Sequence, residues 1–263
     1  MGRLTMRVAA LVYLGAILIA PVAVIAYKTF EPGLASVIDS ITTPAAISAF
    51  WLTIKVAVVA VPLNAAFGVV MALALVRGKV PGRRVMEALI DLPFAISPVV
   101  VGLALLLVYG REGWFGDELT DAGVQILFSY PGILLATIFV TLPFVVREVA
   151  PVLREVGEDQ EQAAATLGAS RWQAFWRVTL PAIRWGLVYG TVLSTARAIG
   201  EFGAVSVVSG KVAGETETLT LLVEKRFQNF DLAGAYAAST LLALIALVTL
   251  GGMVLVNRRK ELS

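Results

Sequence analysis

The sequence contains neither cysteine nor histidine. Without cysteine the chain has no disulfide, no thiolate nucleophile and no thiolate metal ligand. Without histidine it lacks the side chain that most often performs acid–base catalysis near neutral pH, and it lacks imidazole metal ligands. Charged residues are also scarce, at 15% of the chain, whereas hydrophobic residues make up 58%. This composition is typical of a membrane protein and leaves little enzymology to consider.

The sequence also lacks a nucleotide-binding motif. Gly210-Lys211 has neither the upstream glycine nor the following hydroxyl residue of a P-loop. The net charge of +2 does not indicate a nucleic-acid partner, because the basic residues are scattered over several loops. We therefore expect this chain to catalyse no reaction, to bind no cofactor and to hold no metal.

Six apolar runs are each near the length needed to cross a bilayer. They cover residues 8–27, 50–76, 88–109, 130–146, 185–208 and 233–256. The first run is too long for the apolar part of a signal peptide, and no Ala-x-Ala site closes it, so we expect it to remain as a membrane anchor. The pattern predicts an all-α, polytopic membrane protein with six transmembrane helices.

The distribution of lysine and arginine predicts how the chain is oriented. With six crossings, both termini lie on one face together with the larger group of basic residues: Arg3, Arg7, Arg77, Lys79, Arg83, Arg84, Arg147, Arg154, Arg171, Arg177, Arg184, Arg258, Arg259 and Lys260. Loops on the opposite face hold the smaller group: Lys28, Arg111, Lys211, Lys225 and Arg226. Because the more basic loops stay in the cytoplasm, both termini are predicted to be cytoplasmic.

A polar helical hairpin, residues 155–182, interrupts the apolar pattern between the fourth and fifth runs. Glu158, Asp159 and Glu161 place negative charge in a first helical turn, where the helix dipole favours it. An alanine run extends the helix, and Gly168 is suited to end it in a left-handed conformation. This first helix is too polar to lie in lipid, so we expect it to face another protein.

The second half of the hairpin begins with a capping box, formed by Ser170 and by Gln173 three residues later. Aromatic residues then share one face of the predicted helix with a threonine: Trp172, Phe175, Trp176 and Thr179. This face either rests on lipid headgroups or anchors the hairpin against the ends of the membrane helices. Pro181 is expected to redirect the chain into the fifth span.

The hairpin resembles the cytoplasmic signature loop of ABC importer permeases. The match is carried by Glu161, Ala163, Ala164, Gly168, Leu180 and Pro181. The resemblance implies that a cytoplasmic ABC ATPase dimer, which binds ATP and Mg, docks on a coupling helix in this loop. It assigns this coupling to Glu161, Gln162, Ala163, Ala164, Gly168, Ala169, Ser170, Leu180 and Pro181. Gln162 departs from the family pattern, because that position usually holds a glutamate that forms an ion pair with the ATPase.

A second stretch, residues 196–216, is similar to permeases of oxyanion importers and most similar to the W-type permease of sulfate/thiosulfate importers. The resemblance covers about residues 46–256 and divides the chain into an N-terminal span with an external loop (1–45), the importer transmembrane domain (46–256) and a short basic tail (257–263). It implies a bacterial plasma-membrane location, a second permease of the T type and an external sulfate-binding protein. A molybdate or tungstate permease, working as a homodimer, is the alternative within the family.

Arg197 and Glu201 fall near the middle of the predicted fifth span, four residues apart, so their side chains can meet on a helix. A charged residue at that depth has to face protein or a wet cavity. Gly200 and Gly203 would let another helix or an anion approach. The pair either lines a translocation path or forms a structural ion pair. If it couples transport to an ion gradient, the chain would instead be a secondary transporter, a class that predicts internal repeats not evident here. A scaffold subunit without a pathway is the third possibility.

Some smaller features predict helix packing and kinks. Gly186 and Gly190 have the small-residue spacing of a helix contact. Lys55 is expected to extend outward from the second span. Pro62 is expected to kink the second span, and Pro93 with Pro98 the third.

Overall fold

The computed structural model describes residues 2–78 and 81–261 of the chain, and this part is built from helices without any strand. Lys79, one of the basic residues used above to predict orientation, lies outside the described residues, as does the end of the predicted tail. The helices are α1 (Arg3–Leu14), α2 (Ala20–Phe30), α3 (Leu34–Ile41), α4 (Pro44–Val76), α5 (Arg83–Ala95), α6 (Pro98–Tyr109), α7 (Gly116–Asp121), α8 (Tyr130–Val156), α9 (Asp159–Thr166), α10 (Arg171–Ala174), α11 (Leu180–Ile199), α12 (Val205–Val208), α13 (Leu219–Gln228) and α14 (Leu232–Glu261).

Within the described ranges, four helical stretches are long and apolar enough to cross a membrane. They are Thr5–Phe30, Pro44–Val76, Tyr130–Val156 and Leu232–Thr249, and a fifth is added if α5 and α6 together count as one broken span. The first stretch joins α1 to α2 through a π-helical turn at Gly15–Ile19. The chain is therefore a multi-pass helical membrane protein.

The predicted third span, residues 88–109, is broken into two helices, a stronger change of direction than the expected kink. α5 ends at Ala95, α6 begins at Pro98, and the two helices are bent by 112°. Ser97 is extended, with φ −59° and ψ 135°, because a residue before proline is disfavoured in the helical region. Pro98 thus starts a new helix at its first position and does not kink an existing one.

The centre of the fold is a three-helix packing of α4, α8 and α11. Small residues bring these helices together: a Cβ at Gly68 would lie 2.6 Å from Val145 Cβ, and one at Gly190 would lie 2.8 Å from Val145 Cα. A Cβ at Gly186 would lie 2.8 Å from the carbonyl oxygen of Glu148. The predicted helix contact of Gly186 and Gly190 is therefore confirmed. The cluster buried here contains Val69, Ala72, Val145, Val149, Ala150, Leu153 and Ile183.

Polar side chains inside the bundle are paired across helices. The amide of Asn64, on α4, is buried and donates to the carbonyl of Ile138 at 3.0 Å and to Thr141 Oγ1 at 2.7 Å. Pro62 lies inside the single helix α4. At the edge of the bundle, Thr29 on α2 contacts Thr240 on α14, with 2.7 Å between their hydroxyl oxygens. Such bonds satisfy side chains where no water is available.

The fifth run is also not one continuous helix. α11 ends at Ile199 and Gly200 caps it, so Glu201 lies beyond the helix end. The chain then makes a turn, the short α12 and a loop before α13 begins. The turn packs closely against the start of α6, since a Cβ at Gly203 would lie 2.9 Å from Pro98 Cβ. The prediction that Arg197 and Glu201 lie mid-helix was therefore wrong, although both remain inside the fold.

Candidate functional site

The first helix of the hairpin forms where its local signals predict. α9 covers Asp159–Thr166 and carries Asp159 and Glu161 in its first turn. Gly168 ends it with φ +85°, and the backbone N–H of Ala169 donates to the carbonyl of Ala164 at 3.0 Å. A left-handed glycine of this kind satisfies carbonyl groups at the end of a helix.

The capping box at the start of the second helix is confirmed. The backbone N–H of Gln173 donates to Ser170 Oγ at 3.2 Å, and the backbone N–H of Ser170 donates to Gln173 Oε1 at 2.9 Å. α10 then runs without interruption through a π-helical turn, Phe175–Thr179, into α11.

Pro181 does not end the helix or start a new one, contrary to the expectation that it redirects the chain. In the π-helical turn the backbone N–H of Leu180 donates to the carbonyl of Phe175, five residues earlier. The wider turn gives room for a proline ring that would otherwise crowd the preceding turn of an α-helix. The second half of the hairpin and the first part of the fifth span consequently form one continuous helix from Arg171 to Ile199.

Beyond the exposed Asp159 in its first turn, the outer surface of α9 presents uncharged side chains, most of them small. Gln162, Ala163 and Gly168 are exposed. Leu167, just after α9, is 89% exposed. Ala164 and Ala169 are half-buried. This surface suits contact with a protein better than contact with water.

Glu161 is turned away from that surface. Its Oε1 accepts a hydrogen bond from Thr179 Oγ1 at 2.8 Å, and its Oε2 lies 3.3 Å from Arg77 Nε. Both partners belong to this chain, at the end of α4 and just before α11. The sequence analysis did not identify Arg77 as a site residue. The one local sign of its role is its position immediately after the second apolar run.

The aromatic residues of the second helix differ in burial. Phe175 packs on the core cluster of α4, α8 and α11, as expected for an anchor. Trp172 and Trp176 are exposed. Trp172 stacks on Phe175 with 6.1 Å between ring centroids, and Trp176 meets both rings edge-on. Exposed tryptophans next to membrane-spanning helices are typical of the lipid headgroup region.

Arg197 and Glu201 form the ion pair that their spacing predicts. Arg197 Nη1 lies 2.6 Å from Glu201 Oε2, and Glu201 Oε1 accepts from the backbone N–H of Ala204 at 2.8 Å. The side chain of Glu201 is 1% exposed, whereas that of Arg197 is 32% exposed. Gly200 is exposed beside the pair. The accessible part of this site is therefore its cation.

A second buried carboxylate was not found from the sequence. Glu217 precedes α13, its side chain is 1% exposed, and its Oε1 lies 2.9 Å from Lys225 Nζ. Lys211 Nζ donates to Glu224 Oε2 at 3.1 Å, and Glu224 lies on α13 together with Lys225. The contacts of Glu217 and Lys211 hold the segment between α12 and α13 against α13. Lys55 is exposed, as expected for a side chain that extends outward, and its Nζ lies 4.6 Å from the centre of the Tyr130 ring.

No metal site is evident in the described residues, which contain no cluster of three or more acidic side chains suited to one.

Comparison with protein families gives one match over most of the chain. A family model described as "binding-protein-dependent transport system inner membrane component" matches residues 64–262. The sulfate transport system permease protein CysW of Synechocystis sp. is 51% identical over 92% of this chain and 87% of its own length. CysW of Escherichia coli K12 is 50% identical over 89% of this chain and 80% of its own. The permease CysT of the same bacterium is 38% identical over 91% and 87%, respectively.

Solved structures give the same architecture. A bacterial ABC transporter that imports the acidic polysaccharide alginate has a chain that matches with a TM-score of 0.80, 18% sequence identity, and coverage of 97% of this chain and 94% of that one. A chain of the MetNI methionine ABC transporter, in an inward-facing conformation, matches with a TM-score of 0.60 at 16% identity, covering 81% and 94%. At these identities the likeness concerns the fold.

Proposed function

Because this chain belongs to the family of binding-protein-dependent transport system inner membrane components, we propose that it is a permease subunit of an ATP-driven importer for sulfate or thiosulfate. The observation that carries this proposal is its similarity to sulfate permeases named CysW, at about half of all positions and over most of both chains. Permeases named CysT are similar too, but less so. We expect the working importer to contain one chain of each kind.

Six crossings and cytoplasmic termini are the topology that best suits this function. The α1–α2 helix, α4, α8 and α14 each cross once, α5 and α6 together make a broken crossing, and α11 adds the sixth. Arginines at the hairpin end of the bundle, among them Arg77, Arg147 and Arg154, support a cytoplasmic hairpin in the plasma membrane. Acidic residues of the loop after α6 lie at the other end: Glu112, Asp117, Glu118 and Asp121.

In this arrangement α9 is the coupling helix, and a cytoplasmic ATPase dimer that binds ATP and Mg docks on it. The exposed surface that includes Gln162, Ala163, Leu167 and Gly168 supplies the contact. Glu161 forms no ion pair with the ATPase in this account, because its carboxylate already bonds within the chain. Closure of the ATPases around ATP draws the hairpins together, and the spans rock between inward-open and outward-open states.

Arg197 is the residue we propose to contact the anion in the translocation path. Its guanidinium is partly exposed inside the fold, and the sealed Glu201 offsets most of its charge. A full positive charge at this depth would hold a dianion too firmly to release it, whereas a partly neutralised one allows passage. Selection among oxyanions then rests mainly with the external binding protein.

Two glycine variants test the docking role with equal backbone strain. Gly168 and Gly214 both have positive φ, +85° and +88°, and neither has a neighbour within 4 Å of an added Cβ. In Gly168→Asp we expect loss of ATPase co-purification and of sulfate uptake, with membrane insertion intact. Gly214→Asp, at the other end of the molecule, should co-purify with the ATPase as the unmodified chain does. Normal ATPase binding and uptake in Gly168→Asp would contradict the proposal.

A further inference from the structure

Arg77 lies where three parts of the chain meet at the hairpin end of the bundle. It directly follows α4, and its own backbone N–H donates to carbonyls of the last helical turn. Its guanidinium donates from Nη2 to the carbonyl of Gly157, the residue that ends α8. Its Nε lies 3.3 Å from Glu161 and its Nη1 lies 3.9 Å from Glu158, both at the start of the coupling helix. Arg77, which caps α4, thus connects the end of α4 to the end of α8 and the start of α9.

Glu161 extends this group of contacts to the fifth span. While Oε2 faces Arg77, Oε1 accepts the hydroxyl hydrogen of Thr179, a buried residue in the π-helical turn that leads into α11. Arg77, Gly157, Glu158, Glu161 and Thr179, which we call the latch, therefore connect the coupling helix to α4, α8 and α11. These three are also the helices that pack together at the centre of the fold.

The latch differs from the other ion pairs at this end of the molecule in its burial. The Arg77 side chain is 16% exposed, whereas Arg83, Arg147 and Arg154, paired with Glu87 or Asp91, are between 46% and 57% exposed. Exposed pairs contribute little because water screens them. The guanidinium of Arg77 donates one hydrogen bond, to the carbonyl of Gly157, and lies close to two carboxylates, so it is held more firmly than an exposed pair. A lysine at this position would lack the planar fork that reaches all three partners.

We propose that Arg77 is a positioning residue for energy coupling. Through the latch it fixes the coupling helix to the ends of α4, α8 and α11, so that a push on α9 moves these helices as one body. This inference rests on the proposed function. It also gives Glu161 a role within the chain, as the acceptor of this intramolecular contact.

The test uses the complete importer in proteoliposomes and measures sulfate imported per ATP hydrolysed. In Arg77→Ala the ATPase should still co-purify, because the exposed surface of α9 is unchanged, but sulfate imported per ATP should fall roughly tenfold, equivalent to about 1.4 kcal/mol of lost coupling. Arg77→Lys should give an intermediate value. Arg84→Ala is the matched control, since Arg84 is an exposed arginine close by in sequence and outside the latch, and it should leave the ratio unchanged.

A double-variant cycle keeps the test decisive if Arg77→Ala is poorly produced. Glu161→Gln keeps an acceptor for Thr179 but removes the charge that faces Arg77, so Glu161→Gln and Arg77→Lys should each lower the ratio. The double variant should lower the ratio by less than the two effects combined, which a general loss of stability would not give. The absence of native cysteine also permits two spin labels, at Gly78 and Thr166. Their distance distribution should be narrow in the unmodified chain and broad in Arg77→Ala.

The outcomes separate the latch from the docking surface. If Gly168→Asp abolishes ATPase binding while Arg77→Ala imports sulfate at the normal ratio, the latch is wrong and the proposed function stands. If Arg77→Ala itself loses the ATPase, Arg77 acts on docking and the positioning role is overturned. If Gly168→Asp changes nothing, the docking surface is wrong whatever Arg77 does.

Discussion

At the scale of residues, this protein has two buried carboxylates that are each paired with a partly exposed cation. Glu201 and Glu217 have side chains that are 1% exposed, and their partners Arg197 and Lys225 are 32% and 48% exposed. Removing the cation from such a pair leaves an uncompensated buried charge, which costs about 3–5 kcal/mol. Removing the charge of the acid costs less, because the cation can reach a more polar environment.

This asymmetry predicts how variants of the Arg197–Glu201 pair rank. Arg197→Met should lower the yield of assembled complex far more than Glu201→Gln, since glutamine can still accept from the backbone N–H of Ala204. The double variant Arg197→Met/Glu201→Gln should restore assembly, yet its sulfate uptake should stay about tenfold low if Arg197 contacts the anion. Uptake by the purified complex in proteoliposomes measures this.

Glu217 and Lys225 provide the control for that experiment. The double variant Lys225→Met/Glu217→Gln removes an equally buried acid and its cation and should both assemble and import sulfate. Full uptake by the Arg197/Glu201 double variant would instead identify that pair as structural.

At the scale of elements, the sequence predicts what is determined locally. The acidic first turn, Gly168 and the Ser170–Gln173 capping box act within a few residues of one another, and α9 and α10 form where these signals place them. Apolar runs likewise predict the long helices α4, α8 and α14. The ends of these helices follow from packing as well as composition: α8 continues to Val156, ten residues past its apolar run, with Leu153 in the core cluster.

The break in the third run has a local signal in Pro98, whereas the break in the fifth run depends on contacts between distant parts of the chain. The turn at 200–203 lies against the start of α6, with Gly203 next to Pro98 and Val99. The sequence of the fifth run does not show this contact. Arg77 escaped prediction for the same reason, because its partners are about eighty residues away in the sequence.

Close packing of α8 and α11 predicts a difference between two glycines within membrane helices. In Gly190→Ala the added methyl group would lie 2.8 Å from Val145 Cα, so backbone has to move, at a cost of about 1–3 kcal/mol. Gly251→Ala, on α14, meets nothing within 4 Å and should be neutral or slightly stabilising. Thermal unfolding of both variants in detergent measures the difference. Equal unfolding temperatures would contradict this packing.

At the scale of the whole molecule, the chain has the features of one subunit of a multi-subunit importer. Its hairpin presents an exposed surface, its sequence lacks a P-loop, and its long helices meet at a half-buried arginine. These features suit a subunit that receives mechanical work and opens a path. In the proposed importer, the energy source, the second half of the path and the delivery of the anion come from three partners: the ATPase dimer, a T-type permease and an external sulfate-binding protein.

The most direct test of this account is uptake of radiolabelled sulfate by proteoliposomes that contain this chain, its T-type partner and the ATPase. We predict uptake only when ATP is available to the ATPase and sulfate-loaded binding protein is present on the opposite side of the membrane. Dissipating the proton gradient should have no effect. Sulfate uptake driven by an ion gradient, without ATP or binding protein, would contradict the central claim.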